Sequence, residues 1–204
     1  MMTPPTPLAP SGRGGTRQPV DRTYGASAAG GTDAGAGPRH GARAGCEADP
    51  TWGGRVTFTR DAHGRPYEMS ATITRDMFDE GTEARGSLRP PGFLGGDYNQ
   101  ARGHLLARML GGSGDTLDNL FAITQNPTNT QDMRDWEQAI YNSVKKHGHA
   151  TYNVYLEYSD DKKDSVPKYI QLEAYDRHGK VIVDTMLDNP AWNQQQRRRQ
   201  GLLP

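Results

Sequence analysis

Apolar side chains recur at every second position in two neighbouring runs of the chain: Val56 and Phe58 in one, and Tyr67, Met69, Ala71 and Ile73 in the other. A period of two puts one set of side chains on one face of an extended backbone, so both runs read as strands. Between them Asp61-Ala62-His63-Gly64 has the short polar side chain and the glycine of a tight turn, which makes the pair a hairpin. TYNVYLEY, KYIQLEAY and VIVDTML alternate in the same way, and DRHGK joins the last two, predicting a C-terminal antiparallel sheet. DNLFAITQ reads as a short buried strand. In MRDWEQAIYNSVKKH, Met133, Trp136, Ile140 and Val144 recur at three and four, the spacing of a helix with one apolar face. SLRPPGFLGGDYNQ is dense in breakers and predicts an ordered loop into RGHLLARML, stiffened by Pro90-Pro91.

Composition divides the chain. Residues 1–50 are Pro, Gly, Ala, Ser and Arg with almost no aliphatic side chains, so they read as a disordered leader, with an Arg-bearing nucleic-acid arm as the alternative. Residues 51–190 hold the periodic segments and predict one domain, and 191–204 form a polar tail in which Arg197, Arg198 and Arg199 read as solvated. Lys plus Arg and Asp plus Glu each number 24, so no global basic field marks a nucleic-acid partner; any such partner must be held by a local patch. Cys46 is the only cysteine, which excludes an intrachain disulfide. No stretch approaches the roughly 18–20 apolar residues of a membrane span, and the N-terminal residues lack the n- and h-regions of a Sec signal. The expectation is a protein without membrane attachment, either cytoplasmic or exported by a route that reads another signal.

Hydrolysis of a phosphodiester needs a base to deprotonate water, a cation on the developing charge, and donors to hold the phosphate. His104, in Ala101-Arg102-Gly103-His104-Leu105, is a candidate base, because neutral imidazole is effective near neutral pH. Arg102 offers a planar fork for phosphate oxygens. RGH alone is a common tripeptide. Its weight comes from the spacing of the residues downstream: a strand, then Asn129 at the start of the helix, then Glu137 eight residues on. Strand, strand and helix around one metal is the implied architecture.

The segment RGHLLARMLGGSGDTLDNLFAITQNPTNTQDMRDWE resembles the DNA/RNA non-specific endonucleases of the ββα-metal superfamily, whose hallmark is D-R-G-H followed by N-x-x-x-[WM]-x-x-x-E. It is more closely similar to the version at the C-termini of bacterial polymorphic toxins, with RPPGF upstream, RGHL…GGSG…NL, and QNPxNTxxMRxxE. The resemblance spans about Arg55 to Asp188. It implies an α+β fold with an antiparallel sheet and one principal amphipathic helix, and a metal-dependent, sequence-nonspecific endonuclease acting on DNA and also RNA. It makes His104 the general base and Asn129 the ligand of Mg²⁺, or of another divalent cation such as Mn²⁺, through its side-chain oxygen. Glu137 becomes the acidic partner. Eight residues of helix rise about 12 Å, so Glu137 is expected to act mainly through water on the ion. Arg102 and Arg134 are the implied substrate contacts, and Asn126 is the alternative ligand if the register shifts.

The resemblance also implies an antibacterial effector acting in the cytoplasm of a target cell, with a cognate immunity protein as partner. One position departs from the pattern: Ala101 stands where the family usually has aspartate, which would orient a neighbour. That departure motivates the alternative of a catalytically impaired nucleic-acid-binding or interaction module on the same fold. Three further features receive structural readings. Gly111-Gly112-Ser113-Gly114 is expected to be a flexible turn rather than a phosphate cradle. His147 and His149 are expected to meet the helix's terminal carbonyls rather than a metal, so zinc is not expected. The strand tyrosines, Tyr152, Tyr155, Tyr158, Tyr169 and Tyr175, are expected to pack in the core or at its rim.

Overall fold

The computed structural model describes residues 49–159 and 163–190. The leader up to residue 48, Cys46 and the tail from 191 with Arg197–Arg199 lie outside the described residues. Both predicted turns form by the same means. Asp61 Oδ1 accepts the main-chain N–H groups of His63 and Arg65, each at 2.9 Å, closing the hairpin between β1 (Val56–Arg60) and β2 (Pro66–Thr74). Asp176 Oδ1 accepts from His178 N at 2.8 Å and Lys180 N at 3.0 Å. An aspartate that satisfies its own turn's donors, followed by a glycine with positive φ (Gly64 at 73°, Gly179 at 77°), specifies each reversal locally.

The two-residue alternation is realised as burial. Met69, Ala71 and Ile73 on β2 face the core, as do Ala150, Tyr152, Val154 and Leu156 on β5 (His149–Glu157) and Ile170, Leu172 and Ala174 on β6 (Tyr169–Asp176). With β7 (Val181–Asp188) these strands form one antiparallel five-stranded sheet in the order β1-β2-β5-β6-β7. Periodicity alone predicts a hairpin and a separate C-terminal sheet. Instead β2 pairs with β5 from Glu68 opposite Tyr155 to Thr74 opposite His149, which joins them.

One helix, α1 (Arg134–His147), packs on this sheet through Ile140 and Val144, both fully buried. It stops at Gly148, whose φ of 100° carries the chain off the helix. Its last carbonyls are met by Arg75, with Nη2 2.7 Å from Lys145 O, and not by the histidines. His147 instead stands edge-on to His178, ring centroids 6.0 Å apart.

A second, two-stranded sheet, β3 (Gln100–His104) with β4 (Leu120–Thr124), forms the arm that carries the RGH segment. Every residue of β4 is buried. Asn189 ties this arm to the end of β7: its amide accepts from Thr124 N at 2.7 Å and donates to Pro167 O at 2.7 Å and Ala122 O at 3.2 Å. The architecture is the expected α+β arrangement. Among the described residues no helix is long and apolar enough to cross a membrane.

Candidate active site

Alternation along β3 decides which way its side chains point. A Cβ at Gly103 would run into Ile123 and Phe121, so that position faces the core, and Ala101, two residues earlier, packs on the core as well. Arg102 and His104 therefore project from the opposite face. The position at which the family usually has aspartate thus points away from His104.

His104 takes its orientation from elsewhere: its Nε2 lies 3.0 Å from the main-chain carbonyl of Thr82. A carbonyl only accepts, so Nε2 carries the hydrogen and the lone pair of the neutral ring is on Nδ1. Burial pushes the imidazole pKa below the ordinary 6.5, against a smaller opposing effect of the Thr82 carbonyl, so the ring favours the uncharged form in which Nδ1 is a base.

The Thr82 carbonyl is itself held by the GGSG segment. Thr82 N donates to Gly112 O (3.1 Å), Arg85 N donates to Gly114 O (2.9 Å), and Gly114 N donates to Thr82 Oγ1 (2.8 Å). The Thr82 hydroxyl donates to Asp115 Oδ2 at 2.9 Å, and Asp115 also pairs with Arg85 at 2.9 Å. A Cβ at Gly112 would overlap the Leu106 carbonyl, and one at Gly114 would overlap the main chain of Glu83. These glycines are required by close packing, which corrects the reading of a flexible turn. Fully buried Asn119 completes the clasp, accepting from Leu106 N (2.7 Å) and donating to Leu106 O (3.0 Å) and Ser113 O (2.9 Å).

Arg102 is already partly engaged. Nε donates to Leu88 O at 2.6 Å, Nη2 donates to Gly86 O at 2.7 Å, and the guanidinium lies over the Phe93 ring at 4.5 Å. It anchors the RPPGF loop to β3, and the expected open fork is reduced to the remaining Nη1.

After β4 the chain enters a wide helical segment, Gln125–Met133, which packs on β3 and leads directly into α1. Asn99, in the left-handed conformation with φ of 51°, fixes its start: its side chain accepts from Asn126 N (3.2 Å) and donates to Asn126 O (2.9 Å). Asn129 Nδ2 donates to Gln125 Oε1 at 3.2 Å, which directs the amide and leaves Oδ1 as an available oxygen donor. Asn126 Oδ1 already accepts from the Thr130 hydroxyl at 2.7 Å, so of the two amides Asn129 has the freer oxygen. Arg134, at the start of α1, is exposed and makes no ion pair among the described residues.

Glu137 occupies the apolar stripe of α1, four residues after buried Met133 and three before buried Ile140. Burial raises its pKa from 4.5 to about 7, and no cationic side chain among the described residues is paired with it. Nearby, the hydroxyl of buried Tyr152 has no hydrogen-bond partner. A carboxyl without a partner and an available amide oxygen are hard oxygen groups of the kind that suits a small divalent cation retaining most of its water. No cluster of three or more His, Cys, Asp or Glu that could hold a metal ion occurs among the described residues. Sequence reasoning misses Thr82 and Asn119. Thr82 acts through a main-chain carbonyl that any residue would supply, and Asn119, just before β4, acts through a buried amide that no periodicity marks.

A two-stranded arm thus presents a histidine, and the helical segments that follow it carry an asparagine and a glutamate. The sequence profile described as DNA/RNA non-specific endonuclease matches residues 47–178, and the chain belongs to that family. Its fold is similar to NucA from Streptococcus agalactiae with magnesium bound, at 20% identity and a TM-score of 0.58, covering 66% of this chain and 70% of that one. The same nuclease without metal aligns at 21% identity and a TM-score of 0.57, with the same coverage. The Sda1 nuclease with bound zinc aligns at 18% identity and a TM-score of 0.54, over 67% of this chain and 74% of that one. No curated protein matches the chain.

Proposed function

We propose that this endonuclease cleaves DNA, and RNA as well, by attack of a water deprotonated by His104 Nδ1, with Mg²⁺ or Mn²⁺ held by Asn129 Oδ1 and, through water, by Glu137. The carrying observation is the Nε2 contact to Thr82 O, which leaves Nδ1 free as acceptor. When bound, the cation stabilises charge on the phosphate and on the leaving oxygen. Asn129 and Glu137 orient it, Arg134 and the uncommitted Nη1 of Arg102 contact phosphate, and Thr82 holds the imidazole as it gains its proton. Phosphate contacts carry no base information, in keeping with a family described as non-specific. The core-facing placement of Ala101 supports an active enzyme over an impaired module on the same fold.

The test is incubation of the purified protein with plasmid DNA and with RNA, with Mg²⁺ or with EDTA. Wild type with Mg²⁺ should degrade both, while EDTA or His104→Ala should leave both intact. Equal survival of the substrates with wild type and His104→Ala would end the enzymatic assignment of His104. The toxin-like segments support an effector that acts in a target-cell cytoplasm and is blocked at its cleft by an immunity protein. Cytoplasmic expression of wild type should arrest growth where His104→Ala does not, and equal growth would remove that role.

A further inference from the structure

Tyr152 is fully buried, yet its hydroxyl is the buried side-chain polar atom among the described residues that finds no partner. Buried hydroxyls are almost always paired, because an unmade hydrogen bond in the interior is not replaced by water. Packing alone would be served equally well by phenylalanine. The residue across the interface explains the oxygen. Tyr152 shares the inner face of β5 with Ala150 and Val154, where α1 packs on the sheet, and Glu137 stands on the helix stripe of Ile140 and Val144, one turn after buried Met133. Glu137 is the single carboxyl in that stripe, and its charge is felt at the Tyr152 hydroxyl. An O–H without an acceptor and a carboxyl without a donor thus belong to the same helix–sheet interface.

We propose that Tyr152 is a positioning residue of the cation site, its hydroxyl donating a hydrogen bond to the Glu137 carboxylate and fixing the direction in which that carboxylate presents its other oxygen. The proposal rests on the proposed assignment of Glu137 and Asn129 to a divalent cation. Partners of this kind, one step removed from a metal, restrict the rotation of the group that serves it. Removing the hydroxyl leaves the stripe filled while freeing the carboxylate to turn.

The experiment measures Mn²⁺ binding by electron paramagnetic resonance on the full chain, alongside thermal melting and the Mn²⁺ dependence of plasmid cleavage. Tyr152→Phe should melt at or above the wild-type temperature, bind Mn²⁺ about tenfold more weakly, and need correspondingly more Mn²⁺ for half-maximal cleavage. In a Glu137→Gln background the same substitution should change Mn²⁺ binding less than about twofold, because the group it acts through is altered. Wild-type Mn²⁺ affinity in Tyr152→Phe, or an equal loss in both backgrounds, would overturn the proposal. Unchanged Mn²⁺ binding in both Glu137→Gln and Asn129→Ala would instead overturn the cation site itself, so the two failures are distinguishable.

Discussion

His104 can act as a base only while uncharged, and its surroundings decide over what pH range that holds. Burial lowers its pKa from 6.5, so its neutral form persists into more acidic solution than that of a free histidine. At saturating Mg²⁺ the acid limb of kcat should therefore have its midpoint below pH 6.5, as a pH-rate profile will show; a midpoint at or above 6.5 would assign the limb to another group. The lowered pKa also means that protonation favours the unfolded chain, whose histidine charges first as the pH falls. This group's share of stability is therefore complete above pH 6.5 and declines below it. His104, Asn129 and Glu137 are legible in the sequence because the roles proposed for them belong to their side chains, at a spacing carried by β3, the segment after β4 and α1. Thr82 is not legible, since its contribution is a carbonyl oxygen. Arg102 is half legible: its planar fork is recognisable, but two of its nitrogens serve the carbonyls of Gly86 and Leu88.

At the scale of elements, local signals carry most of what can be read. The hairpin, the helix and the three C-terminal strands are each specified by periodicity and by turn residues within a few positions of one another. The pairing of β2 with β5 joins segments far apart in the chain and leaves no local mark. The GGSG segment misleads for a different reason, because a glycine needed for close packing has the same letter as one needed for freedom. The two demands separate on substitution. Gly112→Ala must push the Leu106 carbonyl aside and with it the hydrogen bond that holds Thr82, so it should cost about 3 kcal/mol or more and lower kcat along with stability. Gly86→Ala meets nothing within 4 Å and should stay within about 0.5 kcal/mol of wild type. Denaturant melts and turnover of the two variants provide the comparison, and similar behaviour would mean that the clasp is looser than its hydrogen bonds imply.

For the molecule as a whole, a net charge of zero conceals an uneven distribution. Strands β2, β5, β6 and β7 contain no lysine or arginine, and their solvent face bears Glu68, Glu157, Glu173, Asp184 and Asp188. That face repels a polyanion, which favours the proposed approach of nucleic acid from the side of the arm and α1, where Arg102 and exposed Arg134 lie. Attraction then comes from a few local contacts rather than from a long-range field, and each phosphate contact releases about one counterion. Binding of oligonucleotides to the His104→Ala protein should weaken with salt, and adding Arg134→Ala should lower affinity uniformly across unrelated sequences while reducing the slope of log K against log salt by about one. A changed sequence preference without a changed slope would instead make Arg134 a base contact, and the molecule's indifference to sequence would then need a source other than phosphate recognition.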